Sequence, residues 1–100
     1  MRTAVALLFA VTACSKHEPQ TFQVEMRGMQ FVPASLHVHV GDHVVWTNKD
    51  LVPHTATAAG AFDSGPVAPN ATWSFTVTTA GSLDYGCTLH PTMKAQLFAE

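Results

Sequence analysis

Three soft donors stand at equal spacing near one end of the chain: Cys87, His90 and Met93, in the run Tyr85-Gly86-Cys87-Thr88-Leu89-His90-Pro91-Thr92-Met93. Thiolate, imidazole and thioether all bind metal ions. The run begins where a strand pattern ends, so its side chains leave a loop instead of alternating across a sheet. In a tight loop, donors at i, i+3 and i+6 curl around one point. Pro91 restricts the backbone between the last two and lowers the entropy lost when the loop closes. A fourth donor must come from elsewhere, and His54 is the best candidate, a single histidine after Leu51-Val52-Pro53 in otherwise apolar, small-residue surroundings. Two imidazoles, a thiolate and a thioether make a nitrogen–sulfur set. Thioether sulfur suits copper better than zinc, and His₂Cys with a long axial Met is the donor set of electron-transfer copper sites.

Other readings of these residues exist. Cys87 read as a buried thiol beside a surface histidine and a core methionine involves no metal. A disulfide would join Cys87 to Cys14, the second cysteine in the sequence. A Cys–His nucleophile pair fits poorly, because the chain is too small for a substrate cleft and His90 shares the cysteine's own loop.

The elements that must hold the donors read as strands. Phe22, Val24 and Met26 alternate with Gln23, Glu25 and Arg27; Leu36, Val38 and Val40 alternate with His37 and His39; a Gly41-Asp42 turn then leads into His43–Thr47. That strand stops at Asn48-Lys49-Asp50. Trp73, Phe75 and Val77 form another alternating set, Ser82–Gly86 follows the Ala80-Gly81 turn, and Ala95–Ala99 is the closing strand. The stretch from Ala58 to Pro69, rich in Gly, Ala and Pro, reads as a surface loop. Six to eight short strands predict an all-β sandwich or barrel. Trp46, Trp73, Phe75 and Phe31 are core candidates, and Met26 and Met29 read as core or edge fillers.

The 100 residues allow one domain. Residues 1–13 read as a secretory signal: Arg2, then the apolar run Ala4–Val11. Val11-Thr12-Ala13-Cys14 resembles the lipobox of bacterial lipoproteins, which implies lipid on Cys14, membrane attachment through it and a location in the bacterial periplasm. The alternative is ordinary signal cleavage near Ala13. Residues 14–20 are a polar tether and 21–100 the domain. With Cys14 lipidated, Cys87 is alone in an oxidising compartment, where a bound metal would protect it. Without Arg2 the rest carries four basic and seven acidic residues, about −3. That mild balance argues against nucleic acid, which calls for a basic stripe.

From Phe22 to Phe98 the chain resembles the small blue copper proteins, the cupredoxins, closest to the amicyanin-like and plastocyanin-like members. The resemblance rests on Val40-Gly41-Asp42, Val45-Trp46-Thr47-Asn48 leading to Pro53-His54-Thr55, Phe62-Asp63-Ser64-Gly65, and above all the Cys87-x₂-His90-x₂-Met93 loop. It implies a Greek-key β-sandwich and one copper per chain, with His54, Cys87 and His90 as equatorial ligands and Met93 as the weak axial one. Thr55 follows His54 where amicyanins have asparagine, and Ala95 stands where many relatives have glycine.

The function expected is one-electron transfer between Cu(I) and Cu(II), by a monomer that is not an enzyme. His90, flanked by Leu89 and Pro91 and approached by Leu51, Val52 and Pro53, marks the electron's exit and the docking patch for transient redox proteins. The alternative is a periplasmic copper-binding or copper-delivery protein, with the histidine strand as a loading site. A metal-free immunoglobulin-like interaction domain is the other rival. His37 and His39 share the polar face of one strand, about 6–7 Å apart at Cα, and read either as solvent-facing histidines or as a pair binding one exposed metal ion.

Overall fold

The computed structural model describes residues 17–100. The signal segment and Cys14 lie outside the described residues. The described chain forms nine strands: β1 (Thr21–Arg27), β2 (Gln30–Val32), β3 (Ser35–Val38), β4 (His43–Asn48), β5 (Thr57–Ala58), β6 (Phe62–Asp63), β7 (Thr72–Thr76), β8 (Gly81–Gly86) and β9 (Lys94–Ala99). One sheet has the order β2-β1-β4-β7 and the other β3-β9-β8-β5-β6. β1 runs parallel to β4 and β3 parallel to β9; the other pairings are antiparallel. This is the all-β sandwich that the alternating patterns predict.

Period-two alternation decides which side chains face inward. Val24 and Met26 of β1 and Val44, Trp46 and Asn48 of β4 are all fully buried, while Gln23, Arg27 and His43 face solvent. Trp46 occupies the middle of the interior. Its ring lies 5.4 Å from Trp73 on the neighbouring strand and meets Tyr85 of the opposite sheet edge-on at 5.6 Å. Its Nε1–H donates to the Tyr85 hydroxyl at 3.3 Å, so the polar tips of both aromatics are satisfied. Phe31 packs edge-on against Tyr85 at 4.8 Å, placing it between the sheets as expected. Trp73 and Phe75 are only partly buried, flanking Phe62. Met26 is core; Met29 is 40% exposed in the tight turn between β1 and β2.

The strand count exceeds the six to eight expected because of short elements. Residues 58–69 are not wholly a loop: Phe62 and Asp63 pair with Ala58 and Thr57 as a two-by-two hairpin, and Val67 bridges to His54. Two-residue strands are too short to show a period in sequence. They matter here because they stitch the His54 segment to the sandwich.

β4 of one sheet and β8 of the other both end at the same pole. The chain leaves β4 at Asn48 to reach His54, and leaves β8 at Gly86 to reach Cys87. The two donor-bearing segments therefore emerge side by side, 33 residues apart in sequence.

Candidate metal centre

His54, Cys87 and His90 come together with their donor atoms facing one another. His54 Nδ1 lies 3.1 Å from His90 Nδ1 and 3.9 Å from Cys87 Sγ, and His90 Nδ1 lies 3.5 Å from Cys87 Sγ. The point equidistant from three atoms at those separations is about 2.0 Å from each, the length of a metal–imidazole bond and slightly short of a metal–thiolate bond of ~2.3 Å. Two imidazole nitrogens 3.1 Å apart and a sulfur facing both suit a shared cation. The residues therefore fit a metal ion.

The His54 tautomer follows from its other nitrogen. Nε2 lies 2.7 Å from Asp50 Oδ2, and a carboxylate only accepts, so Nε2 carries the proton and Nδ1 is left with a free lone pair. Asp50 also accepts from the backbone N–H groups of Gly28 (2.6 Å) and Met29 (2.9 Å), which ties the β1–β2 turn to the site. Burial alone would raise the Asp50 carboxyl. The N–H groups of Met29, His54 and Gly28 outweigh it and hold the carboxyl below its ordinary value, as an anion.

Asn48 braces the same segment. Its Nδ2 donates to the carbonyls of Val52 (2.8 Å) and Val67 (3.0 Å), and its Oδ1 accepts from the Asp50 N–H at 2.9 Å. Backbone bonds pair His54 with Val67 in both directions. His54 is thus fully buried and fixed in position by its main chain, its far nitrogen and its neighbours.

Cys87 sits in the other segment and is 4% exposed. The Thr55 N–H points at its sulfur, 3.3 Å away, a donor suited to a thiolate. The Thr55 hydroxyl receives the Thr88 N–H at 2.9 Å and so locks the two donor segments together. The departure from asparagine at position 55 leaves this backbone donor intact. The seven-residue loop closes on itself: Cys87 N–H donates to Met93 O, and Met93 N–H to His90 O. Gly86 permits that closure, because a Cβ there would sit 2.8 Å from the Met93 carbonyl oxygen. Met93 is 1% exposed at the loop's end.

Of the four expected donors only His90 reaches solvent, being half-buried. Leu89 and Pro91, its chain neighbours, are at the surface, as are Leu51, Val52 and Pro53 ahead of His54; Leu51 is 94%, Leu89 50% and Val52 41% exposed. Sequence reading singled out the four donors and this patch. It gave neither Asn48 nor Asp50 a role in holding the site. The signal for Asp50 was a carboxylate four residues before His54, which carries meaning only once the turn between them is known.

Comparison with known proteins places these features in a wider group. The cupredoxin-like domain matches residues 1–99 of the chain. Amicyanin of Paracoccus denitrificans is 36% identical over 83 residues, 77% of this chain, and the match covers 63% of that protein's length. Amicyanin-alpha of Methylorubrum extorquens is 29% identical over 108 residues, covering 98% of this chain and 87% of that one. Among solved structures, a methionine-to-alanine variant of amicyanin in its Cu(I) form superposes with a TM-score of 0.76 at 31% identity, covering 80% of this chain and 82% of the other. With its two-sheet sandwich and its convergent His, Cys and His donors, the chain belongs to the cupredoxin-like family.

Proposed function

We propose that this chain is a one-electron carrier with a single copper that His54 Nδ1, Cys87 Sγ, His90 Nδ1 and the Met93 thioether would hold. The observation that carries the reading is the triangle of three donor atoms, with His54 already committed to the right tautomer by Asp50. Copper bound there supplies the one-electron couple between Cu(I) and Cu(II). The protein's part is to keep the donors where they are in both states. Asn48, Asp50 and Thr55 fix the His54 segment, the Thr55 N–H faces the sulfur, and the loop bonds from Cys87 to Met93 hold the rest. Donors held this firmly move little when the charge at the centre changes, which keeps transfer fast.

The electron leaves through His90, since His54, Cys87 and Met93 are all sealed from solvent. The apolar rim of Leu51, Val52, Pro53, Leu89 and Pro91 is a small docking surface without charged side chains among those residues, suited to brief encounters with redox proteins. The chain acts as a monomeric carrier and not as an enzyme. We place it in the bacterial periplasm, held to a membrane by lipid on Cys14. No helix among the described residues is long and apolar enough to cross a membrane.

A Cu(II) titration of residues 15–100 followed by visible absorption tests the reading. An intense blue band that saturates at one equivalent, bleaches with ascorbate and returns with oxidant is expected. A colourless protein, or colour that survives Cys87→Ala, overturns it.

A further inference from the structure

A second group of donors stands at the opposite pole. His17, His39 and Asp42 each place a ligand atom within 4.8 Å of the other two. Asp42 immediately precedes β4 and Asn48 ends it, so a strand length of roughly 20 Å, at ~3.3 Å per residue, separates this cluster from the start of the His54 segment. His17 Nε2 is 2.7 Å from Asp42 Oδ1, and the two imidazoles are stacked with ring centres 4.0 Å apart. His39 lies 4.0 Å from Asp42 Oδ2 through Nδ1 and 3.9 Å from a Glu100 carboxylate oxygen through Nε2. Asp42 has a fully buried side chain, while both histidines are partly open to solvent.

Paired histidines on the polar face of β3 were the sequence-based candidate for an exposed metal site. The structure partners them differently. The His37 ring stacks on Phe98, 4.8 Å away and nearly parallel, whereas His39 turns to His17 from the segment preceding β1. The useful partner comes from twenty-two residues upstream, which no strand periodicity reveals.

We propose that His17, His39 and Asp42, with Glu100 at the rim, form a second metal site that takes a divalent first-row ion such as Zn²⁺. The donor set is imidazole and carboxylate without sulfur, which suits divalent ions of intermediate hardness and disfavours Cu(I). Two neutral imidazoles and one buried carboxylate match the ligand types of three-residue zinc sites, which leave a fourth position open. Asp42 is held in place before any ion arrives, because the Gln20 and His39 N–H groups donate to its two oxygens at 2.9 and 2.8 Å. Of its ligands, only the histidines need to adjust. The ion takes the place of the hydrogen between His17 Nε2 and Asp42 Oδ1, and the neutral ring then carries its one N–H on Nδ1. Occupancy pins the tether to the domain through His17, at the pole away from the electron's exit. This site uses none of the four copper donors, so it stands whether or not the copper reading does.

The test is a Zn²⁺ titration of the chain with its copper content matched across variants and copper reduced, read by calorimetry and by backbone amide NMR. One equivalent of zinc is expected to bind, with shifts centred on His17, His39 and Asp42 and none in the 87–93 loop. His17→Ala and His39→Ala should each weaken binding at least tenfold, and His37→Ala should leave it unchanged. All three are partly exposed positions whose variants keep the fold, unlike Asp42, whose carboxylate holds two backbone N–H groups. No binding up to millimolar zinc, affinity indifferent to His17→Ala and His39→Ala, or shifts confined to the 87–93 loop overturns the proposal.

Discussion

Asp50→Ala isolates the part played by the carboxylate behind His54. It removes the acceptor for three donors: the Gly28 and Met29 N–H groups, which lie at the surface, and the His54 Nε2–H, which belongs to a fully buried side chain. Water replaces the acceptor for the first two at little cost. The third loses its partner in a buried place, a penalty of about 1–3 kcal/mol. The second consequence concerns the tautomer. Without Asp50 nothing favours the proton on Nε2 over Nδ1, and the nitrogen facing Cys87 is no longer reserved for a metal. Loss of such an outer partner weakens metal binding by roughly 10–100-fold. Asp50→Asn retains one carbonyl oxygen as acceptor and should fall between the parent and Asp50→Ala. Copper affinity by competition with a chelator, chemical denaturation of the metal-free chain, and ¹⁵N chemical shifts of His54 measure the three effects separately. Unchanged affinity in Asp50→Ala, with His54 still protonated on Nε2, would refute the argument.

Three further outcomes follow from other contacts. Gly86→Ala places a methyl group against the Met93 carbonyl at 2.8 Å, a backbone atom that can yield only by moving the loop, so it should destabilise the fold by about 1–3 kcal/mol and broaden the blue band; thermal melts and visible spectra check both. Tyr85 is the chain's one tyrosine, and burial pushes its hydroxyl up to about 12 against the opposing Trp46 N–H bond. The neutral phenol is thus favoured in the folded state: its contribution is complete below the ordinary value of about 10 and lost as pH rises from there to about 12, which tyrosinate absorbance in folded and denatured protein will show. Leu89→Asp or Leu51→Asp, both at exposed positions of the two donor-bearing segments, should leave copper binding intact and slow electron transfer to a partner protein severalfold in stopped-flow experiments.

The meeting of His54, Cys87 and His90 was legible because a cysteine and a histidine share one short loop after a strand and a second histidine follows another strand. The face assignments of β1 and β4 were legible because a one-residue slip would turn Val24, Met26, Val44 and Trp46 out to solvent. The brace around His54 was not. Asn48 and Asp50 look like ordinary turn residues, and their value lies in reaching Val52, Val67 and Gly28, partners fixed only by the way the chain returns to them. The β5–β6 hairpin was hidden for a related reason: its four residues are held by pairing with each other and with β8, not by any pattern of their own. The same holds for His17, whose stacking on His39 depends on how the segment before β1 crosses the β3–β4 turn.

The place of β9 in its sheet bears on when the centre can exist at all. The last strand lies between β3 and β8, not at an edge, parallel to one and antiparallel to the other. Until it arrives, β3 has no neighbour in that sheet and the Cys87–Met93 loop has no second anchor. Pairing strands so distant in sequence requires closing a long stretch of chain, which makes such folds slow to form. Before β9 docks, the cysteine and histidines are separate, loosely held ligands, and selectivity for one ion requires that strand in place. Metal uptake at this centre is thus expected to follow folding, with the site completed by β9.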